Sequence, residues 1–346
     1  MAGRIRDWGF LPGNMPPGEK NSITDVPGVR VGHYTVDNDR HHTGVTVIIP
    51  REDIYYHRCA AACDVINGFG KTAGLVQMKE LGQLETPIAL TNTLNVGLVY
   101  DALVDYTDQV CRSHGDILKS VNPVVGECND GTLNHIRKRV IGLKETMKAF
   151  EAASDEVQEG CIGAGTGMIC HGLKGGIGTA SRIISIGDQK YVLGMLALCN
   201  HGMLEELDIL GIRPGKEISE TLNENSGTED SGSCIMVIAT DMPLSSRQLQ
   251  RTAKRGSAGL ARCGSFFGHG SGDISIAFST AFDIKRNDDS ITGTYSILNE
   301  DYINHAFAAA AECAQECVLN ALTSARSIGK CRCLSEFRNI LQPAES

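Results

Sequence analysis

The sequence predicts a layered α/β fold in a single domain spanning residues 1–346. Three observations carry that expectation. Short β-branched or apolar runs are mixed with segments of helical spacing along the whole chain. No internal repeat, low-complexity tract or linker divides them. A content of 42% hydrophobic and 21% charged residues is that of a globular protein with a sizeable core.

In chain order, residues 20–32 read as a turn followed by a short strand, and Val45–Ile49 as a second strand rich in β-branched residues. His41 and His42, in the polar connection between them, suit either a metal or a plain loop. Residues 64–74 are glycine-rich but lack both the dinucleotide fingerprint and the Walker spacing. Glycines there serve close backbone approach or positive φ instead. After the apolar strand Pro87–Leu90, the polar residues of Thr91–Gly97 either line a pocket or cap a helix beginning near Val96. Glu127 directly follows another apolar strand and precedes a turn, where a carboxylate either forms the turn or holds a cation. Leu133–Ala153 has a helical pattern.

Eight glycines crowd positions 160–178. The strand Tyr191–Cys199 then stops abruptly at Asn200. An asparagine there can start a turn, or donate its amide N–H to a developing oxyanion. Residues 220–232 are polar, acidic and aperiodic, the signature of an exposed loop, whereas Ser233–Thr240 reads as a buried strand. Ser233 therefore stands where a loop enters the core. It is either an ordinary strand-start serine or, if the chain is cut after Gly232, an N-terminal residue. In the second case its α-amine, with a pKa of about 7.7 to 8.0, is suited to act as a general base. Beyond it come a helix from Pro243 to near Gly259, a tight turn at Phe267–Asp273, the strand Ile274–Thr280 and an Ala- and Cys-rich helix over His305–Ala325.

Charge and cysteine usage exclude several classes. A net charge of −9 argues against nucleic-acid binding, which needs an excess of Lys and Arg. No apolar run approaches the roughly 18 residues of a membrane span, and Met1–Gly9 lacks a secretory core, so a cytoplasmic location is expected. The thirteen cysteines are odd in number and scattered, unlike a disulfide framework. Cys59 with Cys63, and Cys313 with Cys317, would each share a helix face, but no His or Cys pair nearby completes a zinc-like set. Buried thiols are the expectation.

Three stretches are distinctive together: Asn21–His33 (NSITDVPGVRVGH), Gly163–Arg182 (GAGTGMICHGLKGGIGTASR) and Ser271–Thr280 (SGDISIAFST). In sequence and order they resemble the L-aminopeptidase/D-Ala-esterase-amidase family, which includes the β-aminopeptidases, over about residues 4 to 320. The resemblance implies an α-β-β-α sandwich like that of N-terminal-nucleophile hydrolases, with a different strand connectivity. It also implies a precursor that cuts itself into residues 1–232 and 233–346, and assembly of several such units into a homo-oligomer.

By that resemblance Ser233 is the nucleophile, Asn200 the oxyanion-hole asparagine, and Ser271 and Asp273 the serine and acid beside the nucleophile. Glu127 receives the substrate's ammonium group. Asn129 stands where one Ala-releasing member carries an aromatic hydroxyl, so substrate choice is open. Ser233 would attack the Gly232 carbonyl in the precursor, with no Cβ at 232 to obstruct it, and a substrate carbonyl in the mature form. Either the α-amine or Ser271 polarised by Asp273 would take the proton. No cofactor or metal is implied, and the partner is a small peptide or amide, with neither nucleic acid nor membrane. Rival readings are an amidohydrolase acting on a pantetheine-like or nylon-type amide, and an unprocessed scaffold. An acetyl-transferring relative is disfavoured because those enzymes carry threonine at the cut.

Overall fold

A computed structural model describes residues 3–222 and 232–341. The predicted exposed loop before Ser233 therefore lies largely outside the described residues. The strands are β1 (Arg30–Asp37), β2 (His42–Ile49), β3 (His57–Gly68), β4 (Gln83–Leu84), β5 (Ile88–Asn92), β6 (Val124–Cys128), β7 (Ile169–Cys170), β8 (Leu173–Lys174), β9 (Gly176–Ile186), β10 (Gln189–Asn200), β11 (Ser233–Thr240) and β12 (Gly272–Lys285). The helices are α1 (Leu75–Leu81), α2 (Val96–Ser113), α3 (Leu143–Glu151), α4 (Gly215–Leu222), α5 (Ser246–Ala253), α6 (Gly256–Arg262) and α7 (Ile303–Thr323).

These elements form the predicted α-β-β-α sandwich. One sheet has the order β1-β2-β5-β6, the other β4-β3-β12-β11-β10-β9, and β7-β8 is a separate ribbon. Ile48, Leu90, Leu196, Leu198, Ile235, Val237 and Ile276 fill the space between the sheets. On the outer face of the larger sheet, Met195, Ala197, Met236 and Ile238 pack against Ala310, Cys313 and Cys317 of α7. Val45, Val47 and Val125 meet Val99 and Leu103 of α2 on the outer face of the smaller. Alternation along each strand supplies both faces of both sheets.

Small residues let α7 lie close against its sheet. A Cβ at Gly178 would fall 1.8 Å from the Cys317 carbonyl oxygen, so the glycine there is a steric requirement. The same helix anchors two of the distinctive sequence stretches. Arg182 is fully buried and donates to Glu312 at 2.8 Å and Glu316 at 2.7 Å, while Asn21 Nδ2 donates to Glu316 at 2.6 Å. Burial opposes ionisation of Glu316, yet Arg6, Arg182 and Asn21 hold its pKa below the usual value. Much of the sequence likeness thus records a buried ionic cluster, in which each charge has a partner.

Some boundaries differ from the sequence reading. Within Leu133–Ala153 only a 3-10 turn (Ile136–Lys138) precedes the α-helix, which starts at Leu143, where Glu145 accepts the Gly142 N–H at 3.2 Å and sets the helix start. The helix from Pro243 divides into α5 and α6 at Lys254–Arg255. His42 begins β2, since the loop joining it to β1 is tight: the Asn38 N–H reaches the His41 carbonyl at 2.9 Å. Cys59 and Cys63 lie on β3, not on a helix, and face the inter-sheet core. In the glycine-rich stretch 64–74, Gly74 has φ +89°, and a Cβ there would meet the Pro123 carbonyl oxygen at 2.2 Å.

Candidate active site

The site forms where the ends of β10, β11 and β12 meet the end of β6. Ser233 opens β11, pairing antiparallel with Asn200 at the end of β10 and in parallel with Gly272 at the start of β12. Strand register alone thus brings Ser233 and Asn200 together, although 33 positions separate them in sequence. Ser233 is buried, and its Oγ accepts the Gly272 N–H at 3.2 Å. That N–H also faces the Gly232 carbonyl at 3.1 Å.

Two main-chain groups orient the Asn200 amide. Its Oδ1 accepts the Ile169 N–H at 2.8 Å, and its Nδ2 donates to the Asn129 carbonyl at 3.2 Å. The carbonyl partner identifies the nitrogen side of the amide and leaves one N–H for a further acceptor. Asn129 itself is exposed, and its side-chain oxygen accepts the Gly131 N–H at 2.8 Å to close a turn. Its contribution here is made by its backbone. Gly232 is also sterically required, since a Cβ would lie 2.0 Å from the Asn200 carbonyl oxygen and 2.7 Å from the His201 Cα.

Ser271 and Asp273 flank Gly272 and are fully buried. Asp273 pairs with Cys234, not with Ser233. Cys234 belongs to the cluster beneath the helices, whereas Ile235 faces the inter-sheet side. Alternation along β12 therefore turns the Asp273 carboxylate to the helix side and leaves Ser233 facing the cleft. Ser271 Oγ has no hydrogen-bond partner among the described residues.

Glu127 lies on β6 and is only 2% exposed. One carboxylate oxygen accepts the Lys71 N–H at 2.7 Å, and the other accepts the Thr93 hydroxyl. Two glycines separate this carboxylate from Ser233. A Cβ at Gly70 would sit 3.5 Å from Glu127 Oε1 and 3.6 Å from the Gly272 Cα, while a Cβ at Gly272 would sit 3.1 Å from Ser233 Oγ. They keep open a narrow space between an anion and a hydroxyl. Cys128, the next residue, ties the two sheets together: its Sγ donates to the Ser233 carbonyl at 3.3 Å and the Leu198 carbonyl at 3.6 Å. Burial raises its pKa well above that of an ordinary thiol, which keeps the donor proton in place.

Sequence reasoning named the polar stretch 91–97 without resolving its role, and the structure divides it. Asn92 caps, accepting the Asn95 N–H at 3.1 Å, while Thr93 reaches Glu127. Lys71, Gly70 and Ile169 were not singled out, because they act through backbone groups that leave no side-chain signal.

A sandwich with its reactive groups at adjoining strand ends has the architecture of an amide-bond hydrolase. The model of Peptidase family S58 matches residues 21–332. The chain is 36% identical to beta-peptidyl aminopeptidase BapA of Sphingosinicella xenopeptidilytica, over 94% of this chain and 86% of that protein. The solved Burkholderia sp. beta-aminopeptidase superposes with a TM-score of 0.89 at 37% identity, covering 99% of this chain and 100% of that one. The L-aminopeptidase D-Ala-esterase/amidase of Ochrobactrum anthropi, described as a new variant among the Ntn hydrolase fold, superposes with a TM-score of 0.85 at 34% identity over 94% and 92% of the two chains. The chain belongs to peptidase family S58. It is a hydrolase of peptide and amide bonds with an aminopeptidase/amidase function.

Proposed function

We propose that the chain cuts itself between Gly232 and Ser233 and then removes single N-terminal residues from short peptides and amides through an acyl-enzyme on Ser233. The observation that carries this reading is the alignment of Ser233 Oγ, the oriented Asn200 amide and the buried Glu127 carboxylate around one glycine-lined space. Ser233 Oγ attacks the substrate carbonyl, and the remaining Asn200 N–H stabilises the oxyanion. Glu127 pairs with the free ammonium of the substrate. A buried cation is costly without such a partner, so a blocked N-terminus is excluded. The Ser233 α-amine is the favoured proton acceptor, because Asp273 leaves β12 on the opposite face.

The names of the relatives favour a β-aminoacyl or small L- or D-aminoacyl substrate. That none of the thirteen cysteines is in a disulfide supports work in the cytoplasm, a reducing compartment. Exposed Ile291, Tyr295 and Ile297 support a homo-oligomer of processed units.

Intact-mass spectrometry of the purified protein tests the cut: two species corresponding to residues 1–232 and 233–346 are expected. Ser233→Ala should give one uncut chain near 37.1 kDa with no amidase activity. Two fragments from that variant would move the cleavage point elsewhere.

A further inference from the structure

Behind Asn200 lies a second cluster that the hydrolytic reading does not use. Cys170 ends the short strand β7, His171 follows it, and His201 follows Asn200. All three are buried, and one donor atom from each lies within 4.8 Å of the others. His171 Nδ1 stands 2.9 Å from the Met203 carbonyl. A carbonyl only accepts, so Nδ1 carries the proton and Nε2 keeps its lone pair. This is the tautomer-fixing arrangement of metal-bound histidines. The neighbouring His201 ring has neither nitrogen hydrogen-bonded among the described residues. A fully buried imidazole must hold one N–H donor and one lone pair, and leaving both unmet is costly.

We propose that Cys170 Sγ, His171 Nε2 and a ring nitrogen of His201 form a binding site for one divalent cation of the zinc type, with water in the fourth position. The donor set suits a borderline-soft ion, since thiolate with two imidazoles and an open position is an established zinc arrangement. Metal–ligand bonds of about 2.0 to 2.3 Å put neighbouring donors roughly 3.5 Å apart, a spacing that donors already within 4.8 Å of one another reach by small side-chain adjustments. Binding releases one proton from the Cys170 thiol to solvent.

The site also has a structural consequence. His171 N–H already donates to the His201 carbonyl at 2.7 Å, and Ile169 N–H holds Asn200 Oδ1. A bound cation would clamp β7 to the end of β10 by three more bonds, directly behind the amide assigned to the oxyanion. The cation touches no reacting atom and acts by positioning Asn200.

The purified, processed protein is equilibrated with Zn²⁺ and desalted, and metal is counted per chain by plasma mass spectrometry. One retained zinc per chain is expected, with a raised Tm, because binding to the native state alone stabilises it. X-ray absorption of that sample should show one sulfur and two imidazole nitrogens. Replacing zinc by Co²⁺ should give a thiolate-to-metal charge-transfer band that vanishes in Cys170→Ser. Cys170→Ser and His201→Gln should each weaken zinc binding at least tenfold to a hundredfold, the scale seen even for lost outer contacts. Failure of the wild type to retain zinc, a different donor count, or unchanged affinity in both variants overturns the proposal. The absorption measurement needs no variant and stands even if a substitution impairs folding.

Discussion

The two walls of the cleft are built on different principles. On the larger sheet, three strand ends converge so that pairing alone fixes the relation of Asn200, Ser233 and Gly272. On the smaller sheet, a single side chain, Glu127, projects from β6 and is held by the Lys71 N–H of a loop and the hydroxyl of Thr93, which opens the short 3-10 helix after β5. A reactive centre set by strand register resists small changes elsewhere, because shifting one member means slipping a strand by two residues. A recognition group held by loop contacts can be retuned by changing its partners. On the proposed roles the walls separate chemistry from selectivity, and substitutions on each should have separable effects.

The largest effect is expected on the first wall. Asn200→Ala removes the remaining amide N–H together with the contacts to Ile169 and Asn129. Loss of one oxyanion donor typically costs about 10² to 10³ in kcat. The proposed self-cleavage and amide hydrolysis would develop the same kind of oxyanion, so both should slow together. A time course of band conversion on a denaturing gel, set beside steady-state kinetics of the fraction already cut, checks this. Slowing of hydrolysis alone would mean that the precursor uses another donor.

What could be read before the structure follows the same division. Ser233–Thr240 forms the strand its β-branched run announces, and Asn200 ends β10 where the apolar run stops. Both are local signals, in which composition changes at the candidate residue itself. The second wall has no such signal. Glu127 was visible, but Thr93 and Lys71 lie 34 and 56 positions away, and one of them acts through its main chain. The cluster of Cys170, His171 and His201 was hidden for the same reason, since only the fold of β7 against the end of β10 assembles it. Conversely, the distinctive stretches around Asn21 and Arg182 record a buried ionic cluster, so sequence distinctiveness did not by itself mark the cleft.

An intermediate effect is expected from Glu127→Gln. The amide keeps the size of the side chain but not its charge. A hydrogen bond to a charged group is worth about 1.5 to 3 kcal/mol, which corresponds to a loss of roughly 10- to 150-fold in kcat/KM for a free-amine p-nitroanilide. In the proposed precursor residue 232 carries no free ammonium, so the proposed self-cleavage should proceed at the rate of the parent chain. Intact-mass spectrometry reads one quantity and anilide release the other. An equal loss in both would make Glu127 a support of the Ser233 strand and would remove the contrast between the walls.

The smallest and sharpest test is Thr93→Val, which is nearly isosteric. It deletes the hydroxyl that donates to Glu127 while the Lys71 N–H remains. Glu127 stays charged and in place, but with less restriction on where its second oxygen points. A net hydrogen-bond contribution of about 1 kcal/mol predicts roughly a fivefold change. In the proposed role the carboxylate binds the ammonium equally in ground and transition states, so that change should fall on KM and leave kcat nearly untouched. The freed oxygen also gains an acceptor site for the substrate, so KM could shift downward for a longer β-aminoacyl group even as it rises for an α-aminoacyl one. Paired KM values for α- and β-aminoacyl anilides resolve this. A fall in kcat with unchanged KM would instead place Thr93 among the groups that align the reacting carbonyl, on the same footing as Asn200.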